Sequence, residues 1–185
     1  METLFSLAIG IGLSAAAGFR ILIPFLVMSV AARAGHLQLA PEMAWMSSDA
    51  AIAAFAIATL VEVMVYFIPA VNDLMDLIEV PAAAIAGTVL TAAVTSDMSP
   101  FLRWSLAAIA GGTLAGGTEA LMGVTRLSST AIAGPVGNIA VSSAELLSSV
   151  ILSILAIALP ILTLILIGVL IYLGLRQFQR RRSRY

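Results

Sequence analysis

Three ionisable side chains, Arg20, Glu62 and Glu119, lie well inside apolar stretches of the sequence. Each costs about 2.5 to 3.5 kcal/mol or more at the centre of a membrane helix unless it is paired or hydrated. Because Arg20 cannot lose its proton, it needs an acceptor, and we expect Glu62 or Glu119 to be its partner. The three residues would form either a structural ion pair that joins helices or part of a hydrated binding site.

Carboxylates recur at helical spacing after the second apolar stretch. The residues Glu62, Tyr66, Pro69 and Asp73 are four, three and four positions apart, with Asp76 three positions further on. On a continuing helix, kinked at Pro69, they would share one stripe. Such a stripe suits a path for protons or cations, or a divalent ion held by oxygen ligands. The alternative is that the helix ends at Pro69 and that residues 72–79, NDLMDLIE, form a solvated loop.

A third polar segment spans residues 125–145 and surrounds the run GPVGN, whose glycines and proline suit an unwound backbone. It carries Arg126, Asn138 and Glu145, and could hold an ion or an anionic headgroup, or be a plain extramembrane loop. The full set of candidate solute- or ion-binding residues is Arg20, Glu62, Asp73, Asp76, Glu119, Arg126, Asn138 and Glu145. The sequence indicates no cofactor, assigns no catalytic residue and leaves any metal ligands unknown.

The elements that must position these residues belong to a membrane protein. Hydrophobic residues make up 61% of the 185 residues, charged residues only 10%, and the mean hydropathy is +1.10. A soluble domain has about 45 to 50% apolar and about 25% charged residues. The sequence therefore predicts an all-α, polytopic transmembrane helical bundle with about five or six membrane elements, some of them broken or kinked. These elements are 3–33, 50–68, 80–95, 101–124, the polar segment 125–145, and 146–175.

The first element is too long for a single span and is interrupted by Gly18, Arg20 and Pro24, so it forms either two short segments or one kinked helix. Element 80–95 is short and either enters incompletely or extends into the acidic stretch before it. Residues 1–175 form one predicted transmembrane domain, and 176–185 a basic tail. That tail holds five of the nine basic residues, all of which are arginine, so the positive-inside rule places the C-terminus in the cytoplasm.

Small residues recur every four positions at Gly10, Ser14 and Gly18, and again at Gly112 and Gly116. This spacing predicts close packing of helix backbones. The segments AIGIGLSAAAGF (8–19) and AIAGGTLAGGTE (108–119) also share four identical positions at an offset of 100. This similarity is compatible with an inverted repeat of two halves, and equally with chance between two alanine- and glycine-rich helices.

The segments AAAGFRILIPFLVMSVAAR (15–33) and VEVMVYFIPAVNDLMD (61–76), together with the polar series of residues 125–145, resemble a small polytopic membrane family known as a domain of unknown function, found in bacteria and photosynthetic organisms. The resemblance covers about residues 15–150 and rests on these positions: Gly18, Arg20, Pro24, Arg33, Glu62, Pro69, Asp73, Asp76, Asn138, Ser142 or Ser143, and Glu145. It implies that these polar residues form one constellation. Two positions depart from the family pattern, because Phe67 stands where a lysine is usual and Leu146 where an aspartate is usual.

From these observations we expect a multi-pass protein of the bacterial inner membrane that binds or transports a small solute or ion through a charge-lined interior. Its partners would be the lipid bilayer and that solute, and a homo-oligomer is compatible with the sequence. The net charge of −1 disfavours a nucleic-acid partner. The alternative is a scaffold or accessory subunit whose buried ion pairs are structural. A metal-dependent intramembrane enzyme is disfavoured, because the single histidine, His36, lies in a loop and the motif after Asp76 departs from that of alcohol phosphotransferases.

Overall fold

The computed structural model describes the backbone of residues 2–65 and 69–182, and the side chains of 3–65, 78–134, 136–173 and 176. Its helices are α1 (Glu2–Ala17), α2 (Leu22–Arg33), α3 (Asp49–Val65), α4 (Pro69–Val94), α5 (Pro100–Leu106), α6 (Thr113–Ala158) and α7 (Pro160–Arg182). A 3-10 helix, Pro41–Ser47, precedes α3, and a π-helical turn, Ala107–Gly112, joins α5 to α6. The all-α class is confirmed for the described residues, which contain no strand.

The first apolar stretch forms two short helices, α1 and α2, that turn at residues 18–21. Pro24 lies in the first turn of α2, where a missing backbone N–H is tolerated. The start of α1, the segment after α2 and the segment after α4 line one pocket of about 400 Å³, so these three ends lie on the same side of the molecule. α1 and α2 therefore form a helical hairpin with Arg20 at its turn.

The acidic stretch NDLMDLIE lies within α4, which begins at Pro69 and continues to Val94. The expectation of a solvated loop was therefore wrong, because Pro69 starts a helix rather than preventing one. The extension of the third apolar element into the acidic stretch is confirmed. Asp73 and Asp76 lie on this helix, but their side chains fall outside the described residues, as does Tyr66 of the predicted stripe.

Residues 125–145 are helical apart from one break at Gly134, so the segment is not the plain loop of the alternative. Gly134 has φ 60° and ψ −149°, a conformation that is essentially restricted to glycine. The two halves of α6, residues 113–133 and Val136–Ala158, fold back on each other there, because Arg126 and Glu145 on opposite sides of the break form an ion pair. The break predicted at GPVGN is thus present, but the unwound backbone is confined to its first glycine.

The core forms where α1, α4 and the π-helical turn cross at small residues. A Cβ atom added to Gly87 would lie 2.5 Å from the Gly111 carbonyl oxygen, so the two backbones are in direct contact. Ser14 donates a hydrogen bond of 2.7 Å to the Gly87 carbonyl, and its Oγ lies 2.8 Å from Thr91 Oγ1. The predicted close approach also holds at Gly10, Gly18, Gly112 and Gly116, where an added Cβ would lie within 3.2 Å of a neighbouring helix.

A clip on the surface joins the 3-10 helix to α5. The guanidinium of Arg103, which is 5% exposed, contacts both carboxylate oxygens of Glu42 at 3.2 and 3.3 Å. These side-chain hydrogen bonds lower the pKa of Glu42 from its ordinary value. The clip holds the segment between α2 and α3 against the start of α5.

Among the described residues, one helix, Val136–Ala158, is by length and composition long and apolar enough to cross a membrane. The pair Pro41–Ser47 and Asp49–Val65, bent by 67°, would add a second crossing if it formed one span. One or two such helices are weak evidence for membrane association. The multi-pass arrangement, the inverted repeat and the orientation of the tail stay predictions.

Replacing Gly87 by alanine is expected to lower the midpoint of thermal unfolding, because the new methyl group would meet the Gly111 carbonyl and Ala115 Cβ, each 2.5 Å away. Overpacking of this kind costs about 1 to 3 kcal/mol. Gly117→Ala is the matched control, because a Cβ at Gly117 meets nothing within 4 Å. Equal thermal midpoints for the two variants in detergent would contradict the tight crossing.

Candidate functional site

Five charged side chains gather in the interior, and all are at most 3% exposed. They are Arg20, Glu79, Glu119, Arg126 and Glu145. We call this set the charge cluster. It contains three carboxylates and two guanidinium groups, and therefore one formal negative charge in excess among these described side chains. Buried charges of this kind persist only when they are paired and hydrogen-bonded.

Arg126 is the centre of the charge cluster and contacts all three carboxylates. Its Nη2 lies 2.6 Å from Glu79 Oε2 and 2.5 Å from Glu119 Oε1, while Nη1 lies 3.4 Å from Glu145 Oε2. Glu119 is two turns before Arg126 on α6, Glu79 comes from α4, and Glu145 comes from the second half of α6. One guanidinium therefore joins α4 to both halves of α6.

Arg20 is linked to the same cluster through Glu145. Its Nη2 lies 3.2 Å from Glu145 Oε2 and donates a longer hydrogen bond, 3.3 Å, to the Ser142 carbonyl. Among the described residues the salt bridge of Arg20 is to Glu145, so the expected ion pair of Arg20 with Glu62 or Glu119 was wrong. The break after α1 aims Arg20 at the second half of α6, and the sequence alone does not reveal which helix packs there.

Glu62 caps the N-terminus of α2 instead. Its Oε1 accepts a hydrogen bond from the backbone N–H of Ile21 (2.8 Å) and its Oε2 accepts one from Leu22 (3.2 Å). The first N–H groups of a helix have no intrahelical partner and carry a partial positive charge, so a carboxylate satisfies both requirements. Glu62 thereby fastens α3 to the turn between α1 and α2.

A cavity of about 490 Å³ lies between this cap and the charge cluster. Glu62 and Glu79 are its two charged lining residues among those described, and the remaining lining is apolar: Ile21, Leu22, Ala58, Val61 and Val65. Two carboxylates on an apolar wall favour a positively charged occupant over an anion.

The candidate residues therefore divide into groups. The structure brings Arg20, Glu119, Arg126 and Glu145 together and places Glu62 at the cap beside them. Asn138 lies on the second half of α6, outside the charge cluster. Its Oδ1 is buried without a hydrogen-bond partner among the described residues. The side chains of Asp73 and Asp76 lie outside the described residues.

Glu79 is a member of the cluster that the sequence reasoning missed. From the sequence it was named only within the alternative of a solvated loop, whereas it is 3% exposed and forms an ion pair with Arg126. Its position three residues after Asp76 could have identified it, because on a continuous α4 it extends the predicted acidic stripe by one more turn.

The carboxylates of the cluster can bind either a proton or cation, or the guanidinium groups that already contact them. Each carboxylate can accept a proton or contact a cation, and each guanidinium is a fixed charge that competes for the same oxygens. Among the described residues, no group of three or more His, Cys, Asp or Glu side chains is arranged to hold a metal ion.

Comparison with known proteins identifies a family. A family model described as a domain of unknown function (DUF4126) matches residues 7–180. This match confirms the resemblance to a domain of unknown function that the sequence indicated. No curated protein and no solved structure matches the chain.

Arg126→Met is expected to lower the free energy of unfolding by about 3 to 5 kcal/mol, because it leaves buried carboxylates without their cation. Adding Glu119→Gln to this variant should restore part of the loss, since one of those charges is removed. The control is Arg33→Met, which removes an exposed ion pair with Asp49 (3.0 Å) and should change stability little. Similar thermal midpoints for the Arg126 and Arg33 variants would contradict the central role of Arg126.

Proposed function

The chain belongs to the DUF4126 family, and on that premise we propose that it is a multi-pass membrane protein that binds a small cation, a proton included, at the charge cluster and carries it across the bilayer. The single observation that carries this proposal is the burial of three carboxylates with two guanidinium groups, next to a cavity lined by Glu62 and Glu79. A buried site with an excess negative charge favours uptake of a positive one.

Membrane residence is supported by composition and by the surface of the helices. The mean hydropathy of +1.10 is that of a chain rich in apolar segments. Besides Val136–Ala158, the shorter helices Thr3–Ala17, Leu22–Arg33, Ile78–Val94 and Pro160–Leu173 are apolar. Large hydrophobic side chains on α7, such as Leu162, Ile165 and Leu170, are exposed and suit contact with lipid.

Short helices that meet at breaks are supporting features of a transport site. At 1.5 Å per residue α1 is about 24 Å long and α2 about 18 Å, both below the ~30 Å of the hydrocarbon core. Their turn would place Arg20 and the capped end of α2 inside the bilayer rather than at its surface. Broken helices that supply backbone and charged groups at membrane depth are a common way to build a transporter site.

The mechanism we propose is competition for carboxylate oxygens. The Arg126–Glu145 pair connects the two halves of α6 across Gly134, and Glu145 also holds Arg20. A proton or cation that takes one of these oxygens weakens the link, and the halves then move about the glycine break. Binding and helix movement are thereby coupled, because the two arrangements differ in affinity for the added charge.

A second candidate function is that of a membrane scaffold or accessory subunit. It is favoured by the ion pairs that join α4 to both halves of α6, and by the cap that Glu62 places on α2. Under this alternative the buried charges fix helix packing only, and no cation binds.

The two candidates are distinguished by reconstitution into liposomes under an applied membrane potential, with internal pH, Na⁺ and K⁺ recorded separately. Wild type should exceed empty liposomes for at least one cation, and Glu79→Gln should slow that flux about tenfold, equivalent to about 1.4 kcal/mol of barrier. Glu42→Gln is the matched control, since it removes an exposed carboxylate at the surface clip.

Thermal unfolding of each variant separates a lost function from a lost fold. If wild type neither carries nor is stabilised by any of the three cations, the cation proposal fails and the scaffold is the better description.

A further inference from the structure

A stripe of polar residues runs along the second half of α6, on the face that carries Glu145. It consists of Asn138, Ser142, Glu145, Ser149 and Ser153, spaced four, three, four and four residues apart. This spacing places them on one face of the helix. Glu145 divides the stripe into one part toward Ala158 and another toward the break at Gly134.

The part toward Ala158 is closed, because its hydroxyl groups are hydrogen-bonded within the protein. Ser149 Oγ donates to the Ala16 carbonyl at 3.0 Å, and Ser153 Oγ donates to the Ser149 carbonyl at 2.7 Å. Both serines are 0% exposed. On this side of Glu145 the stripe packs against α1, and both of its serine hydroxyls have an acceptor among the described residues.

The part toward Gly134 differs in its hydrogen bonding. Asn138 Oδ1 and Ser142 Oγ are buried and have no hydrogen-bond partner among the described residues. Ser142 as a whole is 8% exposed. A buried polar group left without a partner costs about 1 to 3 kcal/mol, and native proteins usually satisfy such groups with ordered water. The break lies at the surface of the molecule, and the polar residues Ser128 and Thr130 that precede it are exposed.

From this asymmetry we propose that Asn138 and Ser142 line a water-filled entry path from the Gly134 end of the molecule to Glu145. Successive polar positions are separated by about 6 and about 4.5 Å along the helix axis, so one or two waters connect each pair. The proposal rests on the proposed function in taking the proton as the cargo. A proton entering as hydronium passes along these hydrogen bonds to a Glu145 oxygen and leaves a neutral water behind.

Ser142 is well placed to pass a proton from water to Glu145. Its carbonyl accepts the hydrogen bond from Arg20, so the last residue of the path before Glu145 touches the cluster directly. A serine hydroxyl both donates and accepts, which allows it to continue a chain of waters.

The first experiment uses the absence of cysteine from the sequence to map water along the stripe. Single variants Asn138→Cys, Ser142→Cys, Ser149→Cys and Ser153→Cys are exposed in proteoliposomes to 2-aminoethyl methanethiosulfonate, a small charged reagent that reacts with hydrated thiolates. We expect the cysteines at positions 138 and 142 to react at least about tenfold faster than those at 149 and 153. Equal reactivity along the stripe, or faster reaction at 149 and 153, would overturn the path.

The second experiment measures proton flux in paired variants of adjacent serines. Ser142→Val fills the path with an apolar side chain and should reduce flux about tenfold, whereas Ser142→Ala leaves room for water and should reduce it far less. Ser143→Val is the control, because Ser143 is exposed and its hydroxyl is bonded to the Ile139 carbonyl of its own helix. Flux that is equally sensitive to valine at positions 142 and 143 counts against the path.

The two readouts separate the inference from the proposed function. The expected labelling pattern without proton flux in wild type supports a hydrated path while the transport proposal fails. Proton flux with uniform labelling along the stripe supports transport and refutes this route.

Discussion

The structure depends on the burial of Arg126, whose charge cannot be removed by deprotonation. Its guanidinium is compensated by carboxylates from α4 and from both halves of α6, and Glu145 extends the network to Arg20 at the turn of the first hairpin. Removing any one of these elements would leave a charge uncompensated in a low-dielectric interior, at a cost of several kcal/mol. The charge cluster therefore fixes how three separate segments of the chain lie against one another.

Close helix packing is the second requirement, because ion pairs of this length form only if the backbones approach. Small residues provide that approach at the crossing of α1, α4 and the π-helical turn, where Gly87 faces Gly111 and Ser14 bonds to the Gly87 carbonyl. The hydroxyl groups of Ser14 and Thr91 at this crossing are hydrogen-bonded. The crossing lies toward the part of the α6 stripe that ends at Ala158. Along the α6 stripe, Ser149 and Ser153 are hydrogen-bonded on this side of the cluster, whereas Asn138 Oδ1 and Ser142 Oγ on the other side have no partner among the described residues.

Structural and functional interpretations of the cluster predict different things of the same contacts. A purely structural network needs an opposite charge beside each buried charge, and the observed ion pairs meet that need. Three features go beyond it: an excess carboxylate, an adjoining cavity with Glu62 and Glu79 on its wall, and oxygens of Asn138 and Ser142 that have no partner among the described residues. These additional features are the reason to prefer a site that takes up positive charge, with the glycine break in α6 as the point at which the fold can respond.

The sequence by itself determined the helical class, the family, the break around Arg20, the close-packing glycines and the presence of charged residues within apolar segments. These properties follow from local composition and spacing, which do not depend on what packs where. Only the tertiary structure decided that Arg20 pairs with Glu145, that Glu62 caps α2, that Glu79 belongs to the cluster and that residues 125–145 are helical. Those outcomes depend on the rotation of each helix and on which helix lies next to it, because an ion pair is chosen by distances between residues far apart in the chain.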